Sequence, residues 1–382
     1  TRAIPQGIEI RTGRYNEAEL TPDTFACILQ YPNGDGNIED YRTFVENAHA
    51  AGCKVAVAAD ILSLALLTPP GEWGADIVFG TTQRLGTPMF YGGPSAAYFA
   101  TRDEYKRNMP GRIIGWSKDK YGKLCYRMAL QTREQHIKRE KATSNICTAQ
   151  ALLATMAGFY VVYHGPEGIR TIAKRIHNIA AYLEKEISKL GYKQVNVQYF
   201  DTLRFALPDN VSAQQVRTVA LSKEVNLRYF KNGDVGMSID ETTDLAAVNV
   251  LLSIFGIAAG KDYTKTTDIP ESCTIQPTFR RQSTYLTHEV FNRYHTETEM
   301  MRYIKRLDRK DISLAHSMIS LGSCTMKLNA AAEMLPLSRP EFMNMHPLVP
   351  EEQAEGYREL IHNLSEELKI ITGFAGVSLQ PN

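Results

Sequence analysis

The sequence has 382 residues, of which 43% are hydrophobic and 22% charged, the balance of an ordinary globular protein. Lys and Arg number 43 against 42 Asp and Glu, so no overall field points to nucleic acid or to an anionic membrane. The six cysteines have no CxxC spacing, which argues against a metal centre and a disulfide framework. The length suggests two or three domains, and no apolar run reaches the ~18 residues that cross a bilayer.

Residues 1–147 are predicted to form a wound α/β domain, part of a larger one. Short apolar strands alternate with helical segments in this region. Such alternation indicates a parallel sheet covered on both faces. The strands are expected at 26–29, 55–59, 76–79 and 96–100, and a helix at 38–51 that ends before Gly52.

Residues 148–259 are predicted to form a smaller α/β domain. Its expected elements are helices at 149–162 and 166–190 broken by Gly165-Pro166, strands at 195–199 and 203–206, a helix at 213–222 capped by Ser212, a hairpin of 227–230 with 235–239, and a helix at 245–255 capped by Asp244. Residues 260–298 are interpreted as a linker because they are polar, with few periodic apolar positions. Residues 299–382 are interpreted as the start of another domain, with an amphipathic helix at 351–372.

Asp60 follows the strand at 55–59, at the edge where open α/β sheets bind ligands. Pyridoxal-phosphate (PLP) enzymes of the aspartate aminotransferase fold place an aspartate there, which keeps the pyridine nitrogen protonated. After the next strand they place the Schiff-base lysine, and here Arg84 takes that position. A guanidinium stays protonated and is a poor nucleophile. Spacing alone favours Asp60 as a helix cap or a salt-bridge partner.

Tyr91-Gly92-Gly93-Pro94 is a candidate phosphate loop. Two glycines allow backbone N–H groups to approach a phosphate closely. A plain tight turn is the alternative, and the residues alone favour it.

The run 132–141 mixes basic and acidic residues at helical spacing. It is interpreted as a solvated face or an interface, with an anion site as the alternative. The Ser/Thr/Asn cluster within 142–147 is a good N-cap for the helix that follows. Cys147 is either a reactive thiol at that helix terminus or a packed cysteine, and the packed reading is the commoner one.

The segment 321–329 reads Leu-Gly-Ser-Cys-Thr-Met-Lys-Leu-Asn. Hydroxyls, a thiol and an ammonium group lie together in it, and such loops are costly to bury unless they bind something polar. A cap for the helical segment 330–334 is an equal alternative. Lys327 is not assigned as a Schiff-base lysine, because no strand precedes it.

Several segments together resemble the glycine decarboxylase family. They are 74–80, 83–89, 91–94, 100–107, 109–115, 130–137, 142–148, 294–300, 321–329 and 352–357. The likeness extends over the whole chain. It implies the type I fold of PLP-dependent transferases, with an incomplete large domain and a small α/β domain.

The resemblance also implies how the chain relates to a longer protein. The chain begins with Thr1 and ends at Asn382 within a family motif, so an internal piece is expected: most of an N-terminal half, the linker and the start of a C-terminal half. Arg84 matches the lysine that the N-terminal half has lost, and the functional lysine is expected beyond Asn382. No catalytic residue is therefore assigned within the chain.

The resemblance implies binding residues and partners. Ser323, Cys324 and Thr325 would line the active site at the junction of the halves, and Gly92 and Gly93 would face it. Asp60 and Arg84 would mark a vestigial, structural site. The implied reaction is PLP-dependent decarboxylation of glycine, with transfer of the aminomethyl group to the lipoyl group of H-protein. A homodimer is expected, in the cytoplasm of a bacterium or the mitochondrion of a eukaryote.

Two other functions are carried as alternatives. One is another type I PLP enzyme, such as an aminotransferase that uses Lys327. The other is a non-catalytic scaffold subunit, which the linker and the segment 323–329 speak against. The chain alone is expected to be inactive.

Overall fold

The computed structural model describes residues 3–93, 95–109, 111–142, 151–310, 316, 332 and 335–379. Its strands are β1 (Ala26–Tyr31), β2 (Lys54–Ala59), β3 (Ile77–Thr81), β4 (Ala97–Thr101), β5 (Ile113–Lys118), β6 (Leu124–Ala129), β7 (Lys193–Gln194), β8 (Thr202–Ala206), β9 (Arg228–Tyr229) and β10 (Val235–Ser238). Its helices are α1 (Arg42–Ala50), α2 (Gln135–Lys138), α3 (Ala151–Lys189), α4 (Ala213–Ser222), α5 (Leu245–Ala259), α6 (Glu297–Asp308), α7 (Pro340–Met343) and α8 (Glu355–Thr372). Within these ranges every helix is too short or too polar to span a bilayer.

The first sheet has the order β1-β2-β3-β4. β1, β2 and β3 are parallel neighbours, as predicted, because crossover segments connect them. β4 pairs antiparallel with β3, so the prediction of a wholly parallel sheet is wrong at this strand. The reason is the connection: the described residues of 82–96 form turns and one three-residue 3-10 helix, Phe90–Gly92, but no α-helix that could cross over to a parallel strand.

One face of this sheet is buried and the other is open in the described part of the chain. Leu29, Tyr31 and Val57 point into the core. Ile28 and Phe99, on the opposite face by register, are exposed. The expected cover on both faces is therefore not seen among the described residues.

The second sheet has the order β7-β8-β10-β9 and is antiparallel throughout. The hairpin predicted at 227–239 is confirmed as β9 and β10. The strand predicted at 195–199 is wrong, because β7 ends at Gln194. After Gln194, the Asn196 side chain takes the place of the backbone in bonding to β8. Its amide donates to the Thr202 carbonyl at 2.6 Å, and its oxygen accepts from the Arg204 N–H at 2.9 Å.

α3 is broken where the sequence predicts a break. Gly165 has φ 61° and ψ −175°, and Pro166 restarts the helix. A Cβ at Gly165 would lie 2.5 Å from the Phe291 carbonyl oxygen, so only glycine fits both the angle and the space. The break redirects the chain, and the second part of α3 buries Ala173, Ile176 and Ile187 against the second sheet.

Residues 260–298, interpreted as a linker, are held along both sheet regions at several points. The Thr274 N–H donates to His177 Nε2 at 3.1 Å, and the Gln276 N–H donates to the Gln198 side chain at 2.8 Å. The Thr68 N–H donates to the Phe279 carbonyl at 2.8 Å. This segment therefore packs as a strap between the first and second sheets.

His177, in the part of α3 that packs on the second sheet, holds the strap in place through hydrogen bonds. Its Nε2 accepts from Thr274, so its Nδ1 donates to the Phe200 carbonyl at 2.8 Å. The ring is 1% exposed, and burial lowers the pKa of His177. The neutral imidazole is thus the form that the fold requires.

We expect His177→Phe to lower the free energy of unfolding by about 2 kcal/mol, because the Phe200 carbonyl and the Thr274 N–H lose their partner. In the wild type, the His177 contribution is complete above the unfolded-state pKa of about 6.5 and is lost as the pH falls through the lower folded-state value. Urea unfolding at about pH 7.5 and about pH 5.5 measures both effects. The exposed His136→Phe is the control; an equal loss in it would contradict the strap contact.

Candidate functional site

The carboxyl edge of the first sheet carries a partly buried ion cluster centred on Arg84. Asp60 directly follows β2, and Arg84 follows β3 by three residues. Arg84 Nη1 donates to Asp60 Oδ2 at 2.6 Å and to Asp201 Oδ2 at 2.5 Å, while Arg84 Nε donates to Glu241 Oε1 at 3.2 Å. One guanidinium therefore joins the first sheet to two acidic residues of the second region.

Local contacts fix three members of this cluster, Asp60, Asp201 and Arg84. Asp60 Oδ1 accepts from the Leu62 N–H at 3.0 Å, and the Thr202 hydroxyl donates to Asp201 Oδ1 at 2.9 Å. The Arg84 guanidinium carbon lies 5.5 Å from the centre of the Phe200 ring. Asp60 is thus a salt-bridge partner, which confirms that part of the interpretation drawn from its spacing; its bond to the Leu62 N–H closes a turn and caps no helix.

Burial and the mutual charges of the cluster together set its electrostatics. Burial raises the pKa of Asp60 to about 6, against the opposing effect of Arg84 and with the help of the Asp201 carboxylate on the same nitrogen. Burial by itself lowers the pKa of Arg84, but the carboxylates of Asp60, Asp201 and Glu241 raise it well above its ordinary value. The guanidinium is therefore permanently charged, and the cluster carries more negative than positive groups.

This edge does not fit PLP. No amine is present at the position after β3, where Arg84 stands. The carboxylate that would face a pyridine nitrogen is bound by Arg84 at 2.6 Å. The guanidinium fills the space between the strand ends and the second region. No chemical step is assigned to this edge.

The glycine turn, Phe90–Gly93, lies on the connection between β3 and β4. Its conformation is unusual, with φ of 43° at Phe90, 55° at Tyr91 and 81° at Gly92. The Gly92 N–H donates to the Met89 carbonyl and the Gly93 N–H to the Phe90 carbonyl, both at 2.9 Å. The two N–H groups expected to face a phosphate are therefore used within the turn, so a binding role for Gly92 and Gly93 stays a prediction.

A later part of the chain covers the glycine turn. The Tyr91 N–H donates to the Met345 carbonyl at 2.8 Å, and the Tyr91 and Tyr357 rings lie 4.8 Å apart. A Cβ added at Gly92 would lie 3.1 Å from Pro347 Cβ. These residues belong to a part of the chain that follows the segment 321–329, and this part packs directly on the glycine turn.

Other predicted site residues lie outside the described ranges. These are Ser323, Cys324, Thr325, Lys327, Cys147 and Pro94. The described residues bring together no group of three or more His, Cys, Asp or Glu side chains that could hold a metal ion.

The run 132–141 is only partly a solvated face. Residues 135–141 are exposed, but Arg133 and Glu134 are buried. Arg133 donates to the carbonyls of Lys106, Met109 and Gly111. The interpretation is therefore wrong for these two residues, whose role is to hold the loop that precedes β5.

Sequence reasoning missed Asp201 and Glu241. They lie 117 and 157 residues from Arg84 along the chain, and no local pattern links positions so far apart. Asp201 precedes β8 and Glu241 follows β10, which are neighbouring strands of the second sheet.

We expect Arg84→Met to lower the free energy of unfolding by about 3 kcal/mol, because it leaves three carboxylates together without a cation. Acid should restore part of the loss, since protonation of Asp60 removes one of the charges. Chemical denaturation at neutral and acidic pH measures both quantities.

Arg11→Met is the matched control for this prediction. Arg11 pairs with Glu9 at 2.8 Å, and the two side chains are 72% and 73% exposed, where ion pairs contribute little. An Arg84→Met variant as stable as this control at neutral pH would contradict the importance of the cluster.

Comparisons with known proteins place the chain in a family. The profile of the "Glycine cleavage system P-protein" family matches residues 1–255. The chain is 84% identical over 382 residues to glycine dehydrogenase (decarboxylating) of Bacteroides fragilis, and 53% identical over 382 residues to that of Flavobacterium johnsoniae. It is fully covered in both matches, yet it spans only 40% of the length of either relative.

A solved structure agrees with this assignment. The chain is similar to the crystal structure of glycine decarboxylase (P-protein) of the glycine cleavage system in inhibitor-bound form, with 32% identity and a TM-score of 0.55. The match covers 62% of this chain and 56% of the solved one. The expected fold class, the type I fold of PLP-dependent transferases, is confirmed. The chain belongs to the glycine cleavage system P-protein family.

Proposed function

We propose that this chain supplies one side of the active site of a glycine dehydrogenase (decarboxylating). The observation that supports this most strongly is the 84% identity, over every residue of the chain, to a protein of that name. The proposed reaction releases the carboxyl group of glycine as carbon dioxide and transfers the aminomethyl group to the lipoyl arm of H-protein. Because the relatives compared are bacterial, the proposed location is the bacterial cytoplasm.

The proposal gives the two sites of the chain different roles. PLP is the cofactor proposed for the longer protein, bound through a lysine outside this chain. The Arg84 cluster, which does not fit the cofactor, acts only as structure. Gly92 and Gly93 are proposed to face the working site, together with Ser323, Cys324 and Thr325.

The packing around the glycine turn supports this division. Met345, Pro347 and Tyr357 lie against the turn, so a part of the chain that follows Ser323, Cys324 and Thr325 in sequence meets it. The position of these three residues beside Gly92 is proposed from the family resemblance alone. The contribution of the turn is then shape and exclusion of water, since its own N–H groups are engaged.

Mixed with PLP, the 382-residue chain is expected to give no Schiff-base absorbance and no stoichiometric adduct at any single lysine after borohydride reduction. The reason is that Arg84 cannot form a Schiff base. Mass mapping after reduction is the measurement. A stoichiometric adduct at Lys327 would instead favour an aminotransferase, and one at any other single lysine would also contradict the proposal.

We expect Gly92→Ala in the full-length enzyme to lower the release of labelled carbon dioxide from carboxyl-labelled glycine by roughly tenfold, since a small displacement at a site can cost that much. The new methyl group would press on Pro347 at 3.1 Å. The change combines backbone strain at positive φ with this contact.

Gly233→Ala is the control that separates the effect of backbone strain from the effect of the contact with Pro347. Gly233 has φ 93°, and a methyl group added there would have no neighbouring atom within 4 Å, so this variant carries the strain alone. If both variants lose equal activity, the contact with Pro347 has no part in the site. An active Gly92→Ala enzyme would contradict the proposed position of the turn.

A further inference from the structure

The guanidinium of Arg84 is enclosed by residues from three separate parts of the chain. Asp60 follows β2, Phe200 and Asp201 precede β8, and Glu241 follows β10. The Arg84 side chain is only 15% exposed, and the Phe200 ring beside its guanidinium carbon is fully buried. An exposed ion pair leaves its cation largely in water. The Arg84 guanidinium is instead surrounded by protein on several sides, as a bound ligand is.

The acceptors lie where a flat cation directs its hydrogens. Asp60 Oδ2 and Asp201 Oδ2 accept from Nη1 at 2.6 and 2.5 Å, and Glu241 Oε1 accepts from Nε at 3.2 Å. All N–H bonds of a guanidinium lie in its plane, so the three carboxylates line the edge of the group. The Phe200 ring centre lies 5.5 Å from Cζ, a distance at which an aromatic ring attracts a cation. These contacts suit a planar cation whose charge is delocalised.

The charge of these surroundings selects a positive group. Three carboxylates pair with the one guanidinium. The neighbouring Arg175 guanidinium donates to the backbone carbonyls of Glu241 and Thr243, and in the described ranges it forms no ion pair with the acids of the cluster. Removing carboxylates from water without a counter-charge is unfavourable. The surroundings of Arg84 therefore require a cation and would repel an anion.

The fit between Arg84 and its surroundings is incomplete at one atom. Nη2 is buried and has no hydrogen-bond partner within the part of the chain that the structure describes. Nε and Nη1 alone hold the three carboxylates. A ligand for these surroundings thus needs a planar positive group with two neighbouring nitrogens that carry hydrogens, but not a third.

We propose that Arg84 acts as an internal ligand of a planar-cation site, which consists of Asp60, Asp201, Glu241 and Phe200. The ligands that such a site takes are guanidinium ions and other flat, delocalised cations with N–H donors in the plane. The proposal is independent of the proposed reaction, because no substrate or cofactor takes part in it. A simple ion pair is the alternative, in which any cation of similar length would serve as well.

The covalent attachment of Arg84 explains why the planar-cation site stays filled. A tethered group is present at an effective concentration in the millimolar range, so a free cation at a lower concentration does not displace it. The first sheet carries Asp60, and the second region carries Asp201 and Glu241. The internal ligand therefore joins the two regions permanently, whereas a free ligand would join them only while it is bound.

Arg84→Ala in the 382-residue chain tests the proposal, because it removes every atom beyond Cβ and leaves a space with the shape of N-ethylguanidinium. Three compounds compare the requirements: N-ethylguanidinium is planar and charged, n-butylammonium is charged and of similar length but not planar, and N-ethylurea is planar but neutral. Isothermal titration should show one site for N-ethylguanidinium. Its affinity should exceed that of n-butylammonium at least about tenfold and that of N-ethylurea about a hundredfold, because it alone keeps charged, in-plane bonds to the carboxylates.

Two controls separate binding at this site from general effects of the compounds. The wild-type chain should bind none of the three, since Arg84 fills the site. Arg84→Ala with Asp60→Asn and Asp201→Asn keeps the space and the ring but loses two charges, so its affinity for N-ethylguanidinium should fall at least about tenfold. If Arg84→Ala is unfolded in buffer alone, circular dichroism replaces the titration. N-ethylguanidinium should then restore the wild-type spectrum at a concentration at which the other two compounds do not.

Any of four results would overturn the proposal. Equal affinity for n-butylammonium and N-ethylguanidinium would leave a simple ion pair. Undiminished binding by the triple variant would place the compound elsewhere, and so would binding by the wild type. Failure of N-ethylguanidinium either to bind the folded variant or to refold an unfolded one would show that Arg84 fills no such site.

Discussion

The arrangement of this chain depends on one guanidinium that has three acidic partners. Arg84 contacts Asp60 at the end of β2, and Asp201 and Glu241 at the ends of strands in the second region. Removing these groups from water is unfavourable unless they are paired with good geometry. The contacts of Asp60 with Leu62 and of Asp201 with Thr202 help to supply that geometry. The two sheets are thus tied at the place where related folds leave room for a ligand.

This constraint explains why the chain has two unlike candidate sites. At the sheet edge, Arg84 stands where an amine would be needed and binds the Asp60 carboxylate, so the role proposed for this edge is structural. At the glycine turn, a different part of the chain folds back: Met345, Pro347 and Tyr357 pack on Tyr91 and Gly92. The turn is rigid because its own N–H groups close it. Its proposed role is to shape a site that other residues complete.

The sequence predicts those structural features that neighbouring residues determine. The apolar run 55–59 predicts β2, and its position predicts Asp60 at the strand end. Gly165-Pro166 predicts the break in α3, because neither residue continues a helix well. The hairpin of β5 and β6 was missed, although apolar residues alternate at 114 and 116 and again at 124 and 126.

Contacts between residues that lie far apart in the chain could not be predicted from the sequence. Asp201 and Glu241 look like ordinary loop acids in the sequence, and only the fold brings them to Arg84. The antiparallel course of β4 follows from a connection that lacks a helix, which its apolar strand pattern does not reveal. The resemblance to a known family identifies the fold and supports the proposed function, whereas the physical state of Asp60 requires the three-dimensional contacts.

Reaction of an Arg84→Lys variant with PLP tests most directly whether the sheet edge is closed by its surroundings or only lacks an amine. An ammonium group among Asp60, Asp201 and Glu241 is stabilised in its charged form, and the charged form is not nucleophilic. Borohydride reduction followed by mass mapping should therefore find no adduct at position 84. A stoichiometric adduct there would show that the edge still accepts the cofactor and would contradict a purely structural role for the cluster.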